Sequence, residues 1–443
     1  MNPMISKQYQ SFGRYPSVMQ KSQPIYSRFD ALPTLTLGHK VIPRGLGRSY
    51  GDVCLNDQET ILLTEKLDHF ISFDPHTGLM CCESGVTFAE ILELVVPQGF
   101  FLPVTPGTKF VTVGGAIAND VHGKNHHTAG SFGHHVTQFE LLRSDGSRLL
   151  CSPTQNAEYF MATIGGLGLT GLVTWAEFQL IPIFSDLISQ EVIRFGGLSE
   201  FYDISNESER DFMYTVAWID CLAKGKNLGR GLFMRGNHVN DAALKIKHSQ
   251  NVKGAKFNIP CDAPHFVLNP ASISLFNWAY YWKQRRKSVA SLTHYNPFFY
   301  PLDAIENWNR LYGKRGFLQY QCVVPPLVEE AATREMLTVI AKARMGSFLV
   351  VLKRFGDRPS RGMLSFSRPG TTLALDFPNV GPRLFELLNH LDSIVRSAHG
   401  AVYPAKDARM SREAFTEFYP RVVEFKQYMD PQFSSSFWRR VGE

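Results

Sequence analysis

Hydrophobic and polar residues alternate in short runs through residues 1–183, and glycine or proline separates the runs. The runs LTLGHKVIPRG, HFISFDPHTGLMCCESG and FELLRSDGSRLLC predict strands, several of them in hairpins, so the sheets should be partly antiparallel. Between them, TFAEILELVVPQG predicts a helix that begins with a capping box of Thr87 and Glu90 and ends at Pro97 and Gly99. The pattern therefore predicts a mixed α+β fold.

The pattern changes after residue 183, where the strands FLQYQCVVP and SFLVVLKRFG alternate between two faces. The segment NVGPRLFELLNHLDSIVRSAHG predicts an amphipathic helix that Gly400 ends, and the compact polar segment AVYPAKDARMS follows it. The aromatic stretch LFNWAYYW precedes the basic residues KQRRK at 283–287, an arrangement suited to a lipid headgroup region. A helix with one core face and a solvated basic end fits the same pattern.

Composition and length narrow the class of protein. A chain of 443 residues is too long for one compact core, so two domains, or one inserted into another, are expected. The net charge of +6 suits an anionic cofactor or membrane surface as well as nucleic acid, and does not choose between them. Seven scattered cysteines predict reduced thiols rather than disulfides or a zinc ribbon. We expect a cytoplasmic protein without a signal peptide or membrane-spanning segment.

Glycine clusters occur in PRGLGRSYGD (43–52), TPGTKFVTVGGAIAND (105–120) and IGGLGLTGLV (164–173). Glycine allows positive φ and lets backbone N–H groups approach an anion, while Arg44 and Arg48 can add charged donors. No cluster has the P-loop or Rossmann pattern. One cluster alone would indicate a turn, whereas three in one part of the chain favour a cradle for a pyrophosphate.

The segment HGKNHH (122–127) raises the question of a metal site. His122, His126 and His127 could bind a metal together with His134 or His135. The sequence offers neither a helical H-E-x-x-H pattern nor a carboxylate partner there, so no metal site is expected.

The segments RGLGRSYGD, TVGGAIANDVHGKNHHTAGSFG, GGLGLTG, PLDAIENWNRLYG, LQYQ, VLKRFG and YPAKDAR resemble, in the same order, segments of the FAD-binding oxidoreductases of the vanillyl-alcohol oxidase type, also called the PCMH-type fold. Within that fold, the similarity is to the decaprenylphosphoryl-β-D-ribose 2′-oxidase family. The resemblance implies an α+β protein with a PCMH-type FAD-binding domain of two α/β subdomains. Residues 1–183 and 400–443 would form that domain, and residues 184–399 an inserted substrate domain built on an antiparallel sheet flanked by helices.

The resemblance also implies which residues line the FAD. They are Arg44, Gly45, Leu46, Gly47, Arg48, Ser49, Tyr50, Gly51, Gly107, Thr112, Val113, Gly114, Gly115, Asn119, Asp120, Val121, His122, Leu172 and Tyr403. Many relatives attach FAD covalently through a histidine in the first glycine turn, where this chain has Gly47, Arg48 and Ser49. FAD is therefore expected to bind without a covalent link.

Oxidation of a secondary alcohol by a flavin requires a group that takes up the hydroxyl proton. The family pattern implies His122 and Lys406 beside the flavin ring. His122 can accept or relay a proton, and Lys406 can orient the hydroxyl or stabilise negative charge. The sequence leaves open which is the base, because a lysine acts as one only if its surroundings lower its pKa.

Six further residues are candidates for binding the substrate: Lys124, Gln319, Gln321, Lys353, Thr372 and Ala374. Gln319 and Gln321 share one face of a strand, which suits convergent hydrogen bonds. Thr372 and Ala374 stand where a family member studied as a drug target has asparagine and cysteine. Cysteine-directed inhibitors are therefore not expected to form their adduct, and substrate contacts should differ.

The resemblance implies that the chain oxidises the 2′-hydroxyl of a polyprenylphosphoryl-β-D-ribose to a ketone during synthesis of an arabinose precursor. A short-chain reductase would be its partner, quinone or oxygen its electron acceptor, and the inner face of the cell membrane a peripheral contact, with no nucleic-acid partner. Two alternatives stay open. One is an FAD oxidase or dehydrogenase of a soluble sugar, alditol or aldonolactone, and the other is a non-catalytic flavin-binding partner of a reductase.

Overall fold

The structure of the chain is a computed structural model that describes residues 6–33, 38–241, 244, 257–264 and 266–443. Helices and mainly antiparallel sheets are combined, so the predicted α+β class is confirmed. Within the described ranges, no helix has both the length and the apolar character needed to cross a bilayer.

The N-terminal sheet has the strand order β1-β2-β4-β3. Its strands are β1 (Lys7–Gln10), β2 (Ser17–Pro24), β3 (Val41–Arg44) and β4 (Thr60–Leu63). The run LTLGHKVIPRG contains β3, which pairs with β4 in parallel instead of forming a hairpin, and the start of that run lies outside the described residues. The first glycine cluster begins with the last two residues of β3 and continues beyond it, next to the buried side chains of Ile42 and Ile61.

A second, antiparallel sheet has the strand order β5-β6-β10-β8-β9. The strands up to residue 182 are β5 (Phe70–Phe73), β6 (Leu79–Glu83), β7 (Phe100–Phe101), β8 (Val136–Leu142), β9 (Arg148–Cys151), β10 (Leu172–Gln179) and β11 (Ile181–Pro182). The helices are α1 (Phe88–Val95), α2 (Val113–Ala118), α3 (His126–Ala129) and α4 (Ala157–Thr163). The hairpins β5–β6 and β8–β9 and the Thr87–Glu90 capping box of α1 confirm the pattern-based predictions.

The large C-terminal sheet has the order β16-β12-β14-β13-β19-β20-β18-β21, and its neighbouring strands are antiparallel. The strands are β12 (Leu187–Phe195), β13 (Tyr214–Ile219), β14 (Gly231–His238), β15 (Phe257–Asn258), β16 (Ser288–His294), β17 (Ile305–Glu306), β18 (Phe317–Val324), β19 (Val350–Phe355), β20 (Gly370–Pro378) and β21 (Ala401–Val402). The short strands β15 and β17 pair with each other in parallel. The strands predicted in FLQYQCVVP and SFLVVLKRFG are β18 and β19.

Helices cover one face of this sheet. The helices from residue 198 onwards are α5 (Leu198–Ser208), α6 (Pro270–Trp282), α7 (Tyr295–Phe299), α8 (Glu329–Ala343), α9 (Pro382–Ser397), α10 (Arg412–Phe418), α11 (Val422–Phe425) and α12 (Ser436–Val441). Apolar residues of α5, α8 and α9, such as Met336 and Leu391, share one core with Tyr320, Leu352 and Leu375 of the sheet. Because side chains alternate along a strand, the intervening residues point away from these helices.

The C-terminal segment is positioned by the turn that ends α9 and by its return to the N-terminal sheet. Helix α9 ends as predicted near Gly400, but His399 takes the left-handed conformation there, with φ +53. Gly400 is needed for a different reason, because an added Cβ would lie 2.3 Å from the carbonyl oxygen of Val323. The chain then returns to the N-terminal sheet, where Phe433 bridges Val41. The division at residues 183 and 399 remains a prediction.

Candidate active site

One cavity of about 800 Å³ lies between the glycine-rich loops and the face of the large sheet opposite α5, α8 and α9. Sixteen of the predicted cofactor residues line it: Arg44, Gly45, Leu46, Gly47, Arg48, Ser49, Tyr50, Gly107, Thr112, Gly114, Gly115, Asn119, Val121, His122, Leu172 and Tyr403. All six predicted substrate residues and Lys406 line the same cavity. The fold therefore brings most of the predicted cofactor residues and all of the predicted substrate residues to the same cavity.

The glycine loops approach each other too closely for side chains. A Cβ on Gly45 would lie 2.4 Å from Oγ1 of Thr112, and Gly47 has φ +61. Thr112 begins α2 and accepts a hydrogen bond from the Gly115 amide. The two loops thus present backbone to the cavity, as an anion cradle requires.

Three predicted cofactor residues do not line the cavity but support the loops that do. A Cβ on Gly51 would collide with the backbone oxygen of Asp407, at 1.5 Å, and Val113 is buried in the apolar core. Asp120 turns inward with φ +41; its carboxylate accepts hydrogen bonds from the Gly133 amide and the Ser131 hydroxyl, each at 2.9 Å, and from the Ser365 hydroxyl at 2.5 Å. Asp120 therefore fastens the loop that carries His122.

The cavity contains polar atoms that call for a polar ligand. Ser84 Oγ, Arg48 Nε and Asn119 Oδ1 are buried, line the cavity and have no hydrogen-bond partner among the described residues. Buried donors and acceptors are normally paired, so a ligand with polar edges would complete them. The residues present fit FAD, which combines a pyrophosphate with hydrogen-bonding ring edges.

Five of the predicted substrate residues form one patch on the sheet. Strand pairing places Gln321 opposite Ala374, and Thr372 opposite Lys353. Gln319 lies two residues before Gln321 on the same face. The alternation read from the sequence therefore identified a contiguous surface, and Lys124 faces it from the loop after α2.

His122 is held at both ring nitrogens. Nε2 lies 3.0 Å from Nε2 of Gln321, which also donates to the Thr372 hydroxyl at 3.2 Å, and Nδ1 lies 2.9 Å from Nζ of Lys353. Lys353 also donates to the carbonyl oxygen of Gly123 at 2.7 Å. Burial, together with the charge of Lys353, holds the pKa of His122 well below its ordinary value, so the ring is neutral near pH 7. Neither nitrogen of His122 is free for a substrate in this arrangement.

Three lysines converge on the cavity. Burial lowers the pKa of Lys124 to about 8, and burial with repulsion from Lys124 and Lys406 lowers that of Lys353 to about 7. Lys406 lies in the turn Pro404–Lys406, with Nζ 3.9 Å from the centre of the Tyr50 ring. Among the described residues Lys406 Nζ has no hydrogen-bond partner, and burial lowers its pKa from 10.5. The site thus holds amines that can exchange protons near neutral pH.

Asp376 is the functional candidate that reasoning from the sequence missed. It lies two residues beyond Ala374, on the same face of β20, and is completely buried. Gln319 Nε2 donates to its Oδ1 at 2.5 Å. The alternation of side chains in TTLALDFP could have placed Asp376 on the same face as Thr372 and Ala374. An aspartate near the end of a strand is usually solvated, however, so the alternation alone did not identify this residue as functional.

The other histidines near His122 contact the surrounding protein. His126 is buried with its ring 4.3 Å from that of Phe355, and Nε2 of His127 contacts the carbonyl oxygen of Phe212 at 2.9 Å. His134 and His135 likewise have protein oxygens as ring partners. His127, His134 and His135 thus have backbone oxygens as partners, whereas both ring nitrogens of His126 are buried without a hydrogen-bond partner among the described residues.

Comparison with known proteins agrees with this geometry. A family described as FAD binding domain matches residues 35–152. Decaprenylphosphoryl-beta-D-ribose oxidase of Mycolicibacterium smegmatis is 35% identical over 460 residues, which cover 99% of this chain and 98% of that protein. An uncharacterised protein of Streptomyces coelicolor is 31% identical over 373 residues, 81% of this chain and 100% of that protein. D-arabinono-1,4-lactone oxidase of Yarrowia lipolytica is 26% identical over 192 residues, 42% of this chain and 35% of that protein.

These similarities confirm the family and the cofactor that the sequence motifs predicted. FAD is the cofactor, and the matched domain, residues 35–152, contains the first two glycine clusters. The similarity extends over 99% of this chain, so it covers the large sheet as well as those loops. The chain is therefore an FAD-dependent oxidoreductase that belongs to the decaprenylphosphoryl-β-D-ribose oxidase family.

Proposed function

We propose that this enzyme oxidises the 2′-hydroxyl of a polyprenylphosphoryl-β-D-ribose to a ketone. The observation that carries the proposal is the single cavity in which the glycine cradle meets a patch of amides and lysines. Amides suit sugar hydroxyls, and ammonium groups suit a phosphate. The relative in Mycolicibacterium smegmatis is named for a substrate with this chemistry.

The glycine loops and Arg48 would hold the FAD, with Asn119 and Tyr403 lining its seat beside the large sheet. No histidine stands in residues 43–53, so we infer that the FAD is bound without a covalent link. When bound, FAD supplies the acceptor for the hydride that leaves the sugar carbon. The protein must orient the alcohol and remove its hydroxyl proton.

We assign the proton acceptor to Lys406. Its Nζ faces the cavity without a hydrogen-bond partner among the described residues, and burial lowers its pKa toward the range in which an amine works as a base. His122 has both nitrogens engaged, so its role is to position Lys353 and Gln321. The substrate would contact five residues of the cavity: Lys124, Lys353, Gln319, Thr372 and Ala374.

An anaerobic titration of the holoenzyme with farnesylphosphoryl-β-D-ribose tests the proposal. We expect the flavin absorbance near about 450 nm to bleach with one equivalent. The Lys406→Met variant should keep the flavin and lose the bleaching. Faster bleaching by D-arabinono-1,4-lactone or xylitol would overturn the proposal in favour of a soluble substrate.

The soluble-substrate alternative has specific support in the partial similarity to a lactone oxidase and in Ala374. A small alanine side chain enlarges the cavity beside Gln321 and gives no contact that demands a prenyl phosphate. For a non-catalytic flavin-binding partner, replacing Lys406 would leave the pathway's flux unchanged. The same variant therefore separates the alternatives.

We further propose that a short-chain reductase consumes the keto product and that quinone or oxygen accepts the electrons. A ketone next to the anomeric carbon is reactive, which makes a closely coupled reductase chemically reasonable. Reoxidation of the bleached enzyme by air or by a short-chain quinone analogue, followed at the same wavelength, distinguishes the two acceptors.

Helix α6 offers a surface for contact with an anionic membrane. Ile273, Asn277 and Tyr281 face the protein, whereas four large side chains on the other side are between 44% and 65% exposed: Leu275, Phe276, Trp278 and Trp282. The exposed basic residues Lys283, Arg285, Arg286 and Lys287 follow directly. Apolar side chains next to cations are complementary to an anionic bilayer surface. We propose that this surface docks peripherally at the inner face of the cell membrane.

The position of the helix relative to the cavity suits a lipid-linked substrate. Phe276 contacts Phe348, with ring centres 5.7 Å apart, and Leu349 lines the cavity. Binding to vesicles of phosphatidylcholine with phosphatidylglycerol should weaken in Trp278→Ser and in high salt, but not in Leu327→Ser, which changes a 99% exposed residue elsewhere. Equal binding by all three proteins would contradict the assignment.

A further inference from the structure

Asp376 places a negative charge directly behind the cavity, because it is buried and bonded to Gln319, which lines the cavity together with Lys406. Its Oδ1 accepts the hydrogen bond of Gln319, and its Oδ2 is buried with no partner among the described residues. No ion pair with a lysine or arginine is found for it in those residues. A buried carboxylate of this kind is costly unless a nearby positive charge compensates it.

The groups around Lys406 come from four parts of the fold. The ring centre of Tyr50, from the loop after β3, lies 3.9 Å from Lys406 Nζ, and His122, from the loop after α2, and Lys353, from β19, line the same cavity. Asp376 on β20 is bonded to Gln319, which lines the cavity too, and its charge attracts the Lys406 ammonium. His122 is neutral, and Lys353 repels a second ammonium group. Asp376 is the member of this set whose charge favours an ammonium on Lys406.

We propose that Asp376 is a positioning residue that stabilises the ammonium form of Lys406. This inference rests on the proposed function, in which the alcohol O–H bond breaks, its proton forms a new N–H bond on Lys406, and the hydride leaves for the FAD. Asp376 keeps its own protonation state during the step. Its carboxylate compensates the charge that Lys406 acquires where water is scarce.

The directions of the pKa shifts agree with this arrangement. Burial lowers the pKa of Lys406, and the charge of Asp376 opposes that effect. Burial raises the pKa of Asp376, and the Gln319 hydrogen bond and Lys406 oppose that effect. Each group therefore favours the charged form of the other.

The Asp376→Asn variant of the holoenzyme tests the proposal, because asparagine can still accept the hydrogen bond from Gln319. Without the carboxylate, the midpoint of the pH dependence of flavin reduction should move roughly one pH unit lower. The limiting rate at high pH should fall about 3- to 10-fold, since a weaker base accepts the proton. Asp376→Glu, which keeps the charge, should restore the midpoint even if the asparagine variant folds poorly.

A measurement without turnover separates this inference from the proposed function. The visible spectrum of the oxidised holoenzyme should titrate with the same midpoint in the absence of substrate, shift in Asp376→Asn and lose the transition in Lys406→Met. Asp220→Asn, a buried acid that pairs with Arg230 away from the cavity, serves as the matched control and should leave the midpoint unchanged. An unshifted midpoint in Asp376→Asn would overturn the inference, whereas a shifted midpoint in an enzyme that no prenylphosphoryl ribose reduces would overturn only the substrate.

Discussion

Replacing Asp120 tests whether this residue serves the loop or the cofactor. Its carboxylate accepts three hydrogen bonds beneath the segment that carries His122, and it does not line the cavity. Burial raises the pKa of Asp120 in spite of those bonds, so the charge itself is disfavoured there. Asparagine keeps an acceptor for the Gly133 amide and tolerates the left-handed backbone. We therefore expect Asp120→Asn to change the free energy of unfolding by less than about 1 kcal/mol.

Asp120→Ala should be far more damaging. The Gly133 amide would be left buried without a partner, at a cost of roughly 1–3 kcal/mol, and the Ser365 hydroxyl would lose a bond worth about 1 kcal/mol. Alanine at φ +41 adds roughly 1 kcal/mol of backbone strain, while removal of the buried charge offsets part of the sum. The expected loss is about 3 kcal/mol, which corresponds to a fall in melting temperature of roughly 6–12 °C for a cooperative unit of 150–250 residues.

Thermal unfolding of the holoenzyme, followed by circular dichroism and flavin fluorescence together, measures both variants. Ser365→Ala removes one of the three bonds and should fall between them. If Asp120→Asn lost FAD or melted as early as Asp120→Ala, the charge would matter more than the hydrogen bonds, and the reasoning would be refuted.

Three further predictions concern the cofactor and the lysines. Gly45→Ala should weaken FAD binding at least about 10-fold, because the new Cβ would lie 2.4 Å from Thr112 Oγ1. Gly196→Ala should not, because its Cβ would meet only Glu200 Oε2, at an ordinary contact distance of 3.6 Å; equilibrium dialysis of the flavin compares the two variants. Acid precipitation should release all the flavin into the supernatant, and flavin retained in the pellet would indicate a covalent link. Since the pKa of Lys353 is lowered to about 7, its ammonium is present below that pH and lost above it, so the affinity for a prenylphosphoryl ribose analogue should fall as pH rises from 6 to 8 in the wild type. Lys353→Met should bind weakly throughout that range, as measured by quenching of protein fluorescence.

Predictions from the sequence were correct where residues close together in the chain determine the structure. The capping box of Thr87 and Glu90 is present, and the period of two in β18 correctly placed Gln319 and Gln321 on one face. The end of α9 was predicted near Gly400, but His399 makes the left-handed turn, because crowding by Val323 rather than backbone freedom demands glycine. Packing between segments distant in the chain determines why position 400 is glycine, and a local sequence pattern does not show such packing.

In the candidate site, too, the sequence predicted the features that depend on motifs, and it did not predict those that depend on packing between distant segments. Motif order brought the glycine loops, His122 and Lys406 to one expected location, and the cavity contains them all. Whether a loop residue faces inward or outward depends on partners far along the chain, as Ser365 does for Asp120. Asp376 escaped notice for a related reason, since its importance comes from burial beside Lys406, a residue from another segment.

Side chains of β20 alternate between the core and the cavity, so mutations in this strand affect either folding or substrate binding. Leu373 and Leu375 belong to the core beneath the helices, while Thr372 and Ala374, which alternate with them, line the cavity. Exchanges at the cavity positions can alter which alcohol is accepted while the folding of the sheet is left nearly intact. A laboratory selection for new substrates should therefore accumulate its first successful substitutions at alternate positions of this strand.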